Sequence, residues 1–145
     1  MEILFIPIAF LLDQWTKDKA EANYVGKKEQ ICQDKITLGL VYNKGAVFGF
    51  LKNNQALLWV LSTLSLLILM VIGIPLMFLK GAHMMKLGVC FMFGGALGNL
   101  YDRYKKEHVV DFFSFWFKKD VFFNIADMFV IVGVIIYTIG SLFKK

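Results

Sequence analysis

Apolar residues along this chain gather into four runs, at about 3–16, 56–79, 84–101 and 124–143, and each reads as a helix. The second run carries no charge and exceeds the roughly 20 residues that span a hydrocarbon core. An acid edges or interrupts two others. Asp13 follows only residues 3–12, and the fourth run spans a membrane only with Asp127 inside it, so a hydropathy scan is expected to weaken at both. Between the first two runs, residues 36–42 alternate loosely with branched side chains and end at Asn43-Lys44-Gly45, a strand entering a turn. Residues 109–117 and 121–123, aromatic and β-prone on either side of Lys118-Lys119-Asp120, read as a hairpin. The pattern predicts an all-α membrane protein forming one domain, residues 1–145, with four transmembrane helices and a small β-sheet at the membrane surface.

Composition agrees with that class and narrows the partners. The 145 residues are 58% hydrophobic and 16% aromatic, more apolar than a soluble domain needs. A net charge of +5 does not point to nucleic acid, because the basic residues form no stripe interleaved with stacking aromatics. Lys17, Lys19, Lys80, Lys86, Arg103, Lys105, Lys144 and Lys145 flank the apolar runs, where they meet lipid phosphates. Membrane lipid is therefore an expected partner and nucleic acid is not. Cys32 lies in a polar stretch and Cys90 in an apolar one, so no disulfide is expected. His83 and His108 lack ligand spacing, and neither a metal nor another cofactor is expected. Ala20-Glu21-Ala22 mimics a signal-peptide cleavage site, but Glu2 replaces the usual positive start, and Asp13, Lys17, Asp18 and Lys19 separate the apolar run from it. The first run reads as a retained helix.

An even number of spans puts both ends of the chain on one side. The other side then receives Asp13, Asn43, Asn99, Asp102, Arg103, Asp111, Asn124 and Asp127, which are scattered through the sequence. The positive-inside preference, read from Lys80, Lys86, Lys144 and Lys145, places the termini in the cytoplasm and this polar group at the opposite face.

Asp13, Thr16 and Lys17 share a helical face by i, i+3, i+4 spacing, and Asn99, Asp102 and Arg103 repeat it. Pairs of Asp13 with Lys17 and of Asp102 with Arg103 would serve as glue between helices. Gly94 and Gly98 form a small-xxx-small face, read as packing. Asp111 and Asp127 differ, having no lysine or arginine three or four positions away. An acid in or beside a membrane helix costs about 2.5 kcal/mol or more, so an unpaired one suggests function; the bland alternative is an acid that snorkels to water. Two facing carboxylates hold one proton between them, so that one can take a proton from water while the other polarises a carbonyl. That is aspartic peptidase chemistry. A proton-coupled transporter and a non-catalytic scaffold are the competing readings.

Five stretches carry a family resemblance. Asp13-Gln14-Trp15-Thr16-Lys17, Asn43-Lys44-Gly45-Ala46-Val47-Phe48-Gly49, Gly94-Gly95-Ala96-Leu97-Gly98-Asn99-Leu100-Tyr101-Asp102-Arg103, Val109-Val110-Asp111-Phe112 and Phe123-Asn124-Ile125-Ala126-Asp127 resemble, in order, the motifs of lipoprotein signal peptidase, the type II signal peptidase of bacteria. Met128 departs from the small polar residue that many members carry there. The resemblance implies four transmembrane helices with a small extracytoplasmic sheet, in a multi-pass protein of the bacterial cell (inner) membrane that is expected to be monomeric. It implies Asp111 and Asp127 as the catalytic pair, Asn43, Gly45, Asn99, Arg103 and Asn124 as substrate-binding residues, and Asp13, Lys17 and Asp102 as structural support. The implied reaction removes the signal peptide of a diacylglyceryl-modified prolipoprotein, cutting N-terminal to the lipidated cysteine.

Overall fold

Each apolar run folds as a helix in the computed structural model, which describes residues 1–45 and 54–143. Ala46, Val47, Phe48 and Gly49 of the second motif, and the anchoring lysines Lys144 and Lys145, lie outside the described residues. The helices are α1 (Phe5–Asn23), α2 (Gln55–Phe78), α3 (His83–Lys106) and α4 (Ile125–Leu142). α1 outruns its apolar stretch into Asp18 and Lys19, and Asn23 Nδ2 closes it by donating to the Lys19 carbonyl at 2.8 Å. α2 begins where the Asn54 side chain accepts the Leu57 N–H at 3.0 Å, satisfying one donor left free at a helix start.

The side chains of α2 show which solvent it was built for. Val60, Leu64, Leu67 and Val71 are exposed, and only Leu58, Gly73 and Leu76 are buried. An apolar face that large is unstable against water and natural against lipid. α2 and α4 are long and apolar enough to cross a membrane by length and composition. α4 meets that test with Asp127 inside it, because that acid is its one charged residue and most of the rest are apolar, so the expected weakening of a hydropathy scan there is slight. α3 does not, since it carries Lys86, Asn99, Asp102, Arg103, Lys105 and Lys106 and spends many positions on glycine.

α3 is the central helix, packed against α4, α1 and α2. Its glycines allow this. A Cβ on Gly94 would stand 2.7 Å from Ala9 Cβ, and one on Gly98 would stand 2.5 Å from Asp13 Oδ2, so the predicted small-xxx-small face is the seat of α1. On the α4 side, a Cβ on Gly88 would lie 2.6 Å from the Gly133 carbonyl oxygen. Leu76, Ala82, Met85 and Val89 close the end where α2 turns into α3.

A three-stranded antiparallel sheet lies at the other end, in the order β1 (Glu29–Ile31), β2 (Ile36–Asn43), β3 (Val109–Phe115). β2 is the strand expected before Asn43. β3, however, takes β2 as its partner, with Ile36 opposite Phe115 and Asn43 opposite Val109. The expected local hairpin with residues 121–123 reduces to one bridge, in which Phe123 N–H donates to the Phe113 carbonyl at 2.7 Å. A 3-10 turn over Trp116–Lys118 ends β3, its Trp116 N–H donating to the Lys35 carbonyl at 2.9 Å. β1 is too short and polar to leave a period-2 signal. The register shifts between Leu38 and Val41, which sets Val41 opposite Asp111 and leaves Asn43 one diagonal step from that acid.

Candidate active site

The base of the site is a buried ion triad. Lys17 lies one turn after Asp13 on α1, and its ammonium reaches Asp13 Oδ2 at 2.7 Å, Asp102 Oδ2 at 2.8 Å and Asn99 Oδ1 at 3.0 Å. All three donors are used, and Asp13, Lys17 and Asp102 are fully buried. The two carboxylates also tie in the rest of the fold. Asp13 Oδ1 accepts the Ala126 N–H at the start of α4 at 2.8 Å, Asp102 Oδ2 accepts the Val110 N–H of β3 at 3.3 Å, and Gln14 Nε2 donates to Asp102 Oδ1 at 3.3 Å. Asp102 thus pairs with Lys17 of another helix and not with the adjacent Arg103. Sequence neighbours on a helix point in directions about 100° apart, so Asp102 faces α1 while Arg103 turns toward the Gly45 segment and the cleft.

Above the triad three asparagines hold two carboxylates. Asn124 caps α4: its Oδ1 accepts the Asp127 N–H at 3.0 Å while Asp127 Oδ2 accepts the Asn124 N–H at 3.3 Å, a reciprocal capping box. With its oxygen occupied, Asn124 turns its Nδ2 to Asp111 Oδ1 at 2.7 Å and to Asn99 Oδ1 at 3.1 Å. Asn99 Nδ2 donates to Asp127 Oδ1 at 2.8 Å. Asn43 Nδ2 donates to Asp111 Oδ2 at 2.9 Å while its Oδ1 accepts the Gly45 N–H at 2.9 Å. Arg103 sits beside the pair, its guanidinium 3.4 Å from the Asn99 carbonyl and 3.5 Å from the Gly45 carbonyl. Among the described residues, no ion pair forms at either Asp111 or Asp127.

Burial, and after it the charge of Asp127, push the Asp111 carboxyl up to about 7, against the amides of Asn43 and Asn124, which favour its ionised form. The group therefore changes protonation near neutral pH, as a group that handles protons must.

Both carboxylates open onto a cleft of about 640 Å³. Asn43, Gly45, Asn99 and Arg103 also line it, with Val130 and Ile131 of α4 and Val109 of β3 as apolar walls. Ten positions were singled out in the sequence, and all ten gather here: seven at the pair and its asparagines, three in the triad beneath. Others were missed. Gln14 bridges two members of the triad, and Tyr42, Lys44 and Asp120 line the cleft. Gln14 leaves no signal because its role depends on which neighbour α3 presents. Asp120 lies next to the two lysines read as a turn. Among the described residues, no group of three or more His, Cys, Asp or Glu side chains could hold a metal ion.

Comparison with known proteins shows the family and the fold. The family model described as Signal peptidase (SPase) II matches residues 5–143. The chain belongs to the signal peptidase II family. Relatives named lipoprotein signal peptidase include that of Clostridium novyi, 38% identical with 96% of this chain and 95% of the relative covered. That of Clostridioides difficile is also 38% identical, over 97% and 94% of the two chains. Two solved structures, each described as a bacterial membrane enzyme studied by the in meso method, superpose with a TM-score of 0.79 at 29% and 28% identity, covering 97% and 99% of this chain and 87% and 94% of the other. All five motifs lie within the span of the signal peptidase II match.

Proposed function

We propose that Asp111 and Asp127 are the catalytic pair of this signal peptidase II, in a single domain that crosses the membrane four times. The family removes signal peptides from prolipoproteins and is of the aspartic type. One observation carries the assignment: two carboxylates without an ion pair share one asparagine frame at the wall of a cleft, and one of them titrates near neutrality. The ionised carboxylate takes a proton from water as the water oxygen attacks the scissile carbonyl, which the other acid polarises through its O–H. The tetrahedral intermediate then collapses, the C–N bond breaks, and the leaving amine takes a proton from the pair.

The second amide hydrogens of Asn43 and Asn99 and the Gly45 carbonyl supply hydrogen bonds that replace lost water around an extended peptide, whereas Asn124, fully buried with its amide spent on Asp111, Asn99 and the Asp127 N–H, acts on the substrate only by holding the pair. The substrate is a prolipoprotein whose cysteine already bears a diacylglyceryl group, and cleavage falls on the N-terminal side of that cysteine. Each buried CH₂ of the lipid contributes about 0.8 kcal/mol, which holds the cysteine at the depth of the pair. The termini face the cytoplasm, the cleft opens near the extracytoplasmic face, and one chain suffices for the site.

The purified protein should shorten a diacylglyceryl-modified prolipoprotein much faster than the same precursor without lipid, compared at equal concentration in one detergent. Asp111→Asn and Asp127→Asn should each lower kcat by roughly 10² to 10⁴, with the fold retained. Equal rates for the two precursors would remove the lipid from recognition, and an active folded variant would remove the pair.

A further inference from the structure

The buried triad takes no part in the bond-breaking step, yet one of its arms points at the pair. Lys17 spends its third donor on Asn99 Oδ1 at 3.0 Å. An ammonium only donates, so the oxygen of Asn99 faces Lys17 and its N–H₂ end is turned toward Asp127 Oδ1 at 2.8 Å. Asn124 Nδ2, 3.1 Å from the same Asn99 oxygen, supports that polarity. Asp127 also accepts the Asn124 N–H in the first turn of α4, where the partial positive charge of a helix start favours an anion. Asp111 sits on a strand, and its hydrogen bonds come from the neutral amides of Asn43 and Asn124.

We propose that Lys17 is a positioning residue that acts through Asn99, holding the negative charge of the pair on Asp127 and leaving the proton on Asp111. The inference rests on the reading of the pair given above. A cation at the oxygen end of an amide polarises it and strengthens its N–H as a donor. The charged and titratable groups around this relay are Asp13 and Lys17 from α1, Asp102 and Arg103 from α3, Asp111 from β3 and Asp127 from α4. Tyr42, Lys44 and Asp120 stand along the cleft. Arg103 meets the backbone carbonyl of Asn99 rather than its side-chain amide. With both carboxylates ionised the triad is net negative, so its overall charge does not hold an anion at Asp127. The direction of its third arm does. The rise of Asp111 to about 7 agrees with its role as proton holder. Asp127 then takes the proton from water, and the O–H of Asp111 meets the carbonyl.

The test is the pH–rate profile of the full-length protein on a lipid-modified precursor. Lys17→Met combined with Asp102→Asn removes one charge of each sign, which keeps the net charge of the triad and empties the arm to Asn99. Its acid limb in kcat should move up by about one pH unit, with KM little changed. Asp102→Asn alone keeps the ammonium on Asn99 and should not raise the limb. Asn99→Ser leaves the triad intact and cuts the same relay, so it should give the same shift, with no further shift when combined with the double substitution. It also keeps the inference open to refutation if the double variant fails to fold. A limb left at the wild-type position in Asn99→Ser, or in the folded double variant, overturns the relay. Titration of the carboxyl carbons in ¹³C-aspartate-labelled protein locates the proton directly, and finding it on Asp127 overturns the assignment. If Asp111→Asn or Asp127→Asn stays active, the reading of the pair itself falls. If both are inactive and the limb does not move, only the relay falls.

Discussion

Asp111 is the residue at which burial and chemistry meet most directly. Its carboxyl titrates at about 7 in the fold, against 3.8 for the ordinary group. The folded state therefore binds more protons than the unfolded chain between those values, and stability falls as pH rises across that window. The contribution is fully present below about pH 4 and gone above about pH 7. Asp111→Asn should remove this part of the slope: the variant should unfold at a higher temperature than the wild type above pH 7 and match it near pH 4. Thermal unfolding in one detergent across pH checks this, and parallel curves for the two proteins would mean that Asp111 is not buried as a strained acid.

Among the elements, the close seat of α1 on α3 decides whether the triad can form. Gly98 faces Asp13, and Gly94 faces Ala9, with no room for a methyl group at either. Gly98→Ala should cost about 1–3 kcal/mol through forced separation of the helices, and it should also impair cleavage, because the displaced atom belongs to the triad. Gly88→Ala is as crowded, against the Gly133 carbonyl of α4, but far along α3 from Asn99. It should lower stability by a similar amount and leave the pH–rate profile in place. Unfolding temperatures and pH profiles of the two variants separate a general packing loss from a loss at the site.

At the scale of the whole molecule, the thiols report the orientation of the chain. Cys32 is exposed beside the sheet and Cys90 is buried in α3. With the cleft outside, an impermeant thiol reagent applied to intact cells should label the unaltered protein at Cys32. Lys80→Cys in a Cys32→Ser background should stay unlabelled until the cells are opened, because Lys80 is exposed at the opposite end, between α2 and α3. The reverse pattern would turn the protein over in the membrane.

The linear pattern of residues is enough to predict the helices and one strand, and with the family resemblance it names ten positions that the fold gathers at one place. Apolar runs report burial in lipid regardless of what packs beside them, and an acid without a nearby base in such a run is costly wherever it ends up. The local reading went astray where the answer lay in contacts between distant segments. Asp102 chose Lys17 across a helix interface instead of its neighbour Arg103, and β3 chose β2 across a long separation instead of residues 121–123. The direction in which each asparagine donates was also invisible, because an amide has no preferred end until Lys17, the Gly45 N–H or the Asp127 N–H occupies its oxygen. The candidates for chemistry could be read from the cost of leaving them unpaired in lipid, but their partners and polarity depend on which segments meet, and only the packing of α1, α3, α4 and the sheet settles that.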